Sequence, residues 1–291
     1  MKGRMWISAL ALSAGMCSVS LADVTGKVTL NGQAPKAKQI NMAAVPQCAA
    51  AHATPVFDES IVVGAGNELE NVVVWVKDGA KLGGQVPAQP VVLDQKGCVY
   101  TPHVVVAMVG QDLKAKNSDA MLHNVHGLAK DNGEFNISQN QQGQENKIDG
   151  TKAVETYKLK CDVHPWMNAW VVVLDHPFSG VTNDKGEYTI KGLKDGKYTL
   201  VAWQEKLGMQ EAEVEVKDGK ATKDFQFAPK KKAAAADVVK EAKETVAVSA
   251  PAAKDGECEF CAGAEGKAAV VAKDAKDAAT AKPVQAQAAA K

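Results

Sequence analysis

This 291-residue chain has no excess of charge of either sign: 34 Lys and Arg stand against 34 Asp and Glu, so the formal net charge is zero. No basic patch stands out, which argues against a nucleic-acid partner. It also lacks any stretch long and apolar enough to cross a bilayer; the longest near its start, Trp6 to Leu12, is too short. No histidine follows Cys258-Glu259-Phe260-Cys261, so the pattern for covalent haem attachment is absent. The βαβ context of a thioredoxin-like role is missing too. No nucleophile–base pair is visible, and an enzyme is not expected.

What is present starts with Lys2 and Arg4, then the apolar stretch, then Ser20-Leu21-Ala22. That order reads as an export signal over residues 1–22, cleaved after Ala22, and the expected location is a bacterial periplasm. Cys17 suggests a lipoprotein only weakly, because Gly15 and Met16 make a poor lipobox. From Pro229 onward Ala, Lys, Asp and Glu dominate, a composition that buries too little apolar surface to fold alone. Residues 229–291 are expected to form a low-complexity tail, disordered or partly helical. Cys258 and Cys261 within it read as a local disulfide or idle thiols.

Between these ends the pattern is all-β. Val24 to Leu30 alternates and stops at Asn31-Gly32, and Val72 to Val76 is a β-branched run closed by Asp78-Gly79. Val104 to Val109, Val154 to Cys161 and Ala169 to Leu174 follow in the same style. Many short strands and frequent turns predict a β-sandwich over residues 23–176. Residues 127–150, rich in Asn, Gln and Gly, read as a long loop. A smaller β pattern fills residues 177–228. Its length is short for burying a core of its own, so it is expected to pack on the first part and borrow an early strand.

The chemistry lies in Cys161-Asp162-Val163-His164-Pro165-Trp166-Met167, a C-x2-H-x2-M spacing. A thiolate, two imidazoles and a weak axial thioether make the donor set of a blue copper centre. The second imidazole has two sources, His123 and His126. At period two His123 shares a face with Met121 and Val125, the more apolar pair, which suits an inward-pointing ligand. His123 is therefore chosen, with Cys161, His164 and Met167, to hold one copper ion. Pro165 stiffens the turn by fixing one backbone angle. Asn124 is placed to hydrogen-bond across to the Cys161 loop, a brace of the kind metal sites use. Zinc is the rival metal, although structural zinc sites rarely use Met.

With Cys161 claimed by the metal, Cys48 and Cys98 form the natural disulfide in an oxidising compartment. The alternative is a second metal held by Cys48, His52, Cys98 and His103. His176 before Pro177 reads as a loop residue. Trp166 and Trp170 flank the site, either as an apolar docking rim around His164 or as a cap on the core.

Ala120-Met121-Leu122-His123-Asn124-Val125-His126, taken with the run from Cys161 to Met167, resembles the amicyanin and plastocyanin-like branch of the cupredoxins. The likeness covers about residues 104–174. It implies a cupredoxin-like Greek-key β-sandwich, a type 1 copper ion on His123, Cys161, His164 and Met167, and Asn124 as the brace. It further implies electrons entering through an exposed edge of His164, where a redox donor and acceptor dock. Leu122 departs from the pattern, where amicyanin has Pro. Thr182 to Ile190 followed by Gly196 to Leu200 resembles the carboxypeptidase-regulatory-like (transthyretin-like) module. The layout as a whole also resembles exported methylamine-utilisation-type cupredoxin proteins. These features point to a periplasmic carrier of single electrons. The alternative is a periplasmic copper storage or delivery protein.

Overall fold

The computed structural model describes residues 22–229. Residues 1–21 of the expected export signal, the tail beyond Pro229, and Cys17, Cys258 and Cys261 lie outside the described residues.

The architecture is all-β. In chain order the early elements are β1 (Ala22–Leu30), a short helix α1 (Pro46–Ala50), β2 (Val73–Val76), β3 (Val91–Gln95), β4 (Tyr100–Thr101), β5 (Val104–Met108) and β6 (Leu113–Asn117). Then come β7 (His123–Gly127), β8 (Phe135–Gln139), β9 (Glu145–Ile148), β10 (Glu155–Lys160) and β11 (Asn168–Leu174). The last strands are β12 (Ser179–Val181), β13 (Glu187–Leu193), β14 (Gly196–Gln204), β15 (Gly208–Val216), β16 (Lys220–Thr222) and β17 (Phe225–Phe227).

Two pairs of sheets result. A five-stranded sheet in the order β5-β11-β10-β7-β8 faces a four-stranded one in the order β4-β3-β6-β9. Leu93, Leu113, Val125, Tyr157, Leu159 and Val171 fill the space between them. A second core joins Val24, Val28, Val74, Ile190, Leu200 and Phe227. It lies between a sheet in which β1 pairs with β13, β16 and β17 and a sheet in the order β12-β2-β14-β15. The C-terminal strands thus gain β1 and β2 from the start of the chain. A fifty-residue segment has too little surface to bury a core alone, and the two inserted strands supply the missing apolar face.

β11 explains why Ala169 to Leu174 reads as an unbroken apolar run. Ala169, Val171 and Val173 point into the first core, while Val172 and Leu174 pack with Val73 and Val104 in a third cluster on the opposite face. A strand covered on both sides has no need of alternation.

The long loop expected over residues 127–150 is not a loop: it contains β8 and β9. Both are edge strands, each bonded to one neighbour. Phe135 and Ile137 pack against the core on one face of β8, and the other face carries Asn136 and Ser138. Polar residues suit such exposed edges, and they leave these strands without the apolar runs that mark the others.

Candidate metal centre

The site forms where β7 begins and β10 ends. β7 pairs antiparallel with β10, placing Lys160 opposite His126. Cys161 is the first residue past β10, and the chain turns back through His164 to enter β11 at Asn168. The turn is held by its own backbone: Met167 N–H donates to the His164 carbonyl at 2.9 Å, and Cys161 N–H donates to the Met167 carbonyl at 3.2 Å.

Three of the four residues singled out as ligands offer donor atoms that converge. One donor atom each from His123, Cys161 and His164 lies within 4.8 Å of the other two. The Nδ1 atoms of His123 and His164 face each other at 3.0 Å, and the Cys161 sulfur is 3.7 Å from His164 Nδ1. All three residues are buried, and Cys161 is a free thiol. Met167 is buried in the same core cluster as Cys161, tied to the turn by its backbone. His126 stays outside the cluster, bonded to Glu134 at 2.7 Å and Asp162 at 2.9 Å.

The surroundings orient these donors. Asp119, in the turn before β7, accepts a hydrogen bond from His123 Nε2 at 2.9 Å, so Nδ1 is the nitrogen left free. The same carboxylate accepts from the N–H groups of Gly97 and Cys98, each at 2.8 Å. Burial pushes its pKa up, but those two N–H groups and His123 outweigh it and hold the carboxyl below its ordinary value. Asn124 Oδ1 accepts from the Asp162 N–H at 2.7 Å and from the Cys161 thiol at 3.3 Å. Tyr100 fixes the Asn124 backbone by donating its hydroxyl to the Asn124 carbonyl at 2.5 Å. Burial lowers the pKa of His164, and the neighbouring His123 adds to that, so the ring is neutral near pH 7 and free to donate a lone pair.

A soft metal ion suits this donor chemistry: one thiol, two imidazoles and a thioether on the same turn, with the His123 ring oriented by Asp119. Asp119 and Tyr100 were not singled out in the sequence. An acidic residue four positions before a ligand histidine is the only signal that marks Asp119, and nothing local marks Tyr100.

The environment of His164 differs from the exposed edge that the resemblance implies. Only 5% of His164 is accessible. Cys48 and Cys98 form a disulfide, with Cα atoms 5.6 Å apart, and both sulfurs lie within 4.8 Å of a ring nitrogen of His164. Trp166 adds to this cover: its ring centroid is 5.3 Å from that of His164, and its Nε1 donates to the Cys98 carbonyl at 2.9 Å. Trp170 instead packs edge-on against Trp203. Cys48, His52, Cys98 and His103 do not gather around a second ion, because the sulfurs are bonded to each other. His52 donates to the Gly97 carbonyl at 2.6 Å, and His103 meets Glu205 at 2.6 Å. His176 is buried and stacks on Phe178.

Residues 150–224, about a quarter of the chain, match the family model described as polysaccharide lyase family 4, domain II. That match replaces the carboxypeptidase-regulatory-like module expected over residues 177–228. No curated protein matches. Among solved structures, an amicyanin variant in the Cu(I) state is 27% identical over 31% of this chain and 86% of its own, with a TM-score of 0.27. A purple cupredoxin from Nitrosopumilus maritimus is 20% identical over 28% of this chain and 98% of its own, with a TM-score of 0.25. A copper-containing nitrite reductase from Thermus scotoductus is 20% identical over 29% of this chain, with a TM-score of 0.28. The chain spans about a fifth of that reductase's length. These likenesses are partial, and the metal chemistry of the site rests on its own donors.

Proposed function

We propose that this chain is a periplasmic type 1 copper protein that carries single electrons between redox partners. The observation that supports it is the meeting of the buried, free Cys161 thiol with ring nitrogens of His123 and His164 inside 4.8 Å. Bound copper supplies one-electron chemistry by alternating between Cu(I) and Cu(II). The residues do the rest. Asp119 holds His123 in register, Asn124 ties β7 to the Cys161 turn, and Pro165 limits that turn's freedom. Met167, buried on the same turn, would add its thioether to the donors that hold the ion. Four protein donors would leave no open position for a substrate, which favours a carrier over an enzyme.

Export to the periplasm belongs to this reading. It draws on the order of Lys2, Arg4, Trp6 to Leu12 and Ser20 to Ala22, and an oxidising compartment suits a Cys48–Cys98 disulfide. Among the described residues no helix is long and apolar enough to cross a membrane. The copper-binding unit is the sandwich built on β3–β11, with an accessory unit formed by β12–β17 together with β1 and β2. The redox partners dock near His164. Since that ring is covered, the contact falls on residues next to the ligands in sequence: Val163 beside His164 and Leu122 beside His123, each 45% exposed.

The test is the visible absorption spectrum of the exported form loaded with Cu(II). An intense thiolate-to-copper charge-transfer band that bleaches on reduction and is missing from Cys161→Ser is expected. A colourless protein that still binds copper would overturn the carrier and leave storage or delivery.

A further inference from the structure

The Cys48–Cys98 disulfide sits among donors that its own covalent chemistry does not use. Met121 lies over it, with its thioether sulfur 3.3 Å from the Cys98 sulfur and 3.8 Å from the Cys48 sulfur. A ring nitrogen of His164 also lies within 4.8 Å of both sulfurs. Cys48 and Cys98 are fully buried. The two buried sulfurs therefore have both a thioether and an imidazole within reach, beside the His123–Cys161–His164 cluster.

The cysteine backbones are held by bonds other than the S–S link. Cys98 is in the left-handed region, with φ +57°. It is kept there by Asp119 on its N–H, by Trp166 on its carbonyl, and by the Asp119 and His52 contacts to Gly97. Cys48 sits in α1, where its N–H donates to the Val45 carbonyl at 3.0 Å. Opening the disulfide thus frees two sulfurs without freeing their backbones.

We infer that this disulfide is the oxidised form of a second soft-metal site, in which Cys48, Cys98 and Met121, with His164, hold one Cu(I). An external dithiol supplies two electrons and two protons: the S–S bond breaks, two thiols form, and the donor leaves as a disulfide. Cu(I) then displaces the thiol protons. Two thiolates, a thioether and an imidazole form a donor set that favours Cu(I) over harder ions. Because His164 is shared with the first centre, Cu(I) enters this site in competition with that centre, and only when the compartment turns reducing. The inference goes beyond the carrier reading and does not need the blue site.

The experiment uses the full chain with Cys17, Cys161, Cys258 and Cys261 replaced by Ser, so that only Cys48 and Cys98 remain as thiols. Anaerobic Cu(I) is titrated against a competing chelator, bicinchoninate, before and after reduction with a phosphine that is then removed. One additional tightly held Cu(I) per chain is expected after reduction. Adding Met121→Leu, or separately His164→Gln, should weaken that binding about tenfold or more. Equal Cu(I) uptake before and after reduction overturns the inference. So does a gain that neither substitution weakens, since that is the behaviour of any loose dithiol, including one in an unfolded chain. Because Cys161 is absent from this background, the result is independent of whether the wild-type protein turns blue.

Discussion

Asp119 bridges two parts of the centre: one oxygen accepts from His123 Nε2 at 2.9 Å, and the carboxylate also accepts from the N–H groups of Gly97 and Cys98. A single side chain thus sets both the tautomer of His123 and the position of the disulfide that covers His164. Carboxylates that back a ligand histidine typically contribute about 10–100-fold to metal affinity. Asp119→Ala is expected to weaken Cu(II) binding by about that factor, read by competition with a chelator of known affinity. Asp119→Asn, which keeps an acceptor oxygen, should recover part of the loss. Unchanged affinity in both variants would mean that packing alone orients His123.

The disulfide links cysteines 50 residues apart in the chain. Loops of that size give about 2–4 kcal/mol of stabilisation, mainly by limiting the unfolded chain. Cys48→Ala/Cys98→Ala should lower the unfolding free energy by about that amount in urea denaturation. The loss should appear in the metal-free protein as well. If it appeared only with copper bound, the disulfide would be acting through the metal rather than the chain.

How far the sequence reveals this centre depends on the range of each relationship. That Cys161, His164 and Met167 share one turn follows from their spacing, because residues three apart at a strand end cannot separate far. That His123 rather than His126 faces inward follows from alternation beside Met121 and Val125. The cover on His164 has no such local cause. It depends on how the segment around Cys48 packs, and no residue near His164 announces it. The edge strands β8 and β9 carry no clear strand pattern, because their polar residues face solvent on an exposed edge. The contribution of β1 and β2 to the C-terminal strands is legible only as a need, from the shortness of residues 177–228, and not as a choice of partner.

β1 makes that partnership depend on one glycine. A Cβ at Gly26 would collide with the Lys223 carbonyl and sit 2.7 Å from the Tyr188 ring. The ring cannot withdraw freely, since its hydroxyl is bonded to that same carbonyl at 2.5 Å. Relief requires moving backbone, and overpacking of that kind costs about 1–3 kcal/mol. Gly26→Ala should lower the unfolding free energy toward the upper end of that range while leaving the copper spectrum unchanged, because β1 contributes to the second core and not to the metal centre. A bleached or shifted spectrum in this variant would show that the two cores are coupled.

Glu155 gives a pH-dependent contribution at the other end of β10. Its carboxylate accepts from the N–H groups of Lys130, Asp131 and Asn132, and from the Asn132 side chain at 2.9 Å. Burial pushes its pKa up, but the N–H donors, with Lys130 foremost, outweigh it and hold the group below its ordinary value of 4.5. A depressed carboxylate stabilises the fold when ionised. That contribution is therefore complete above about pH 4.5 and is lost as pH falls through the lower, folded-state pKa. Since the site is largely open to water, its worth is about 1 kcal/mol. Glu155→Gln should lose about that much at pH 7, read from urea midpoints, and should show a correspondingly smaller fall in stability between pH 5 and the acid limit. Parallel pH profiles for the two proteins would show that the turn at Lys130 to Asn132 is held by its backbone and Asn132 alone.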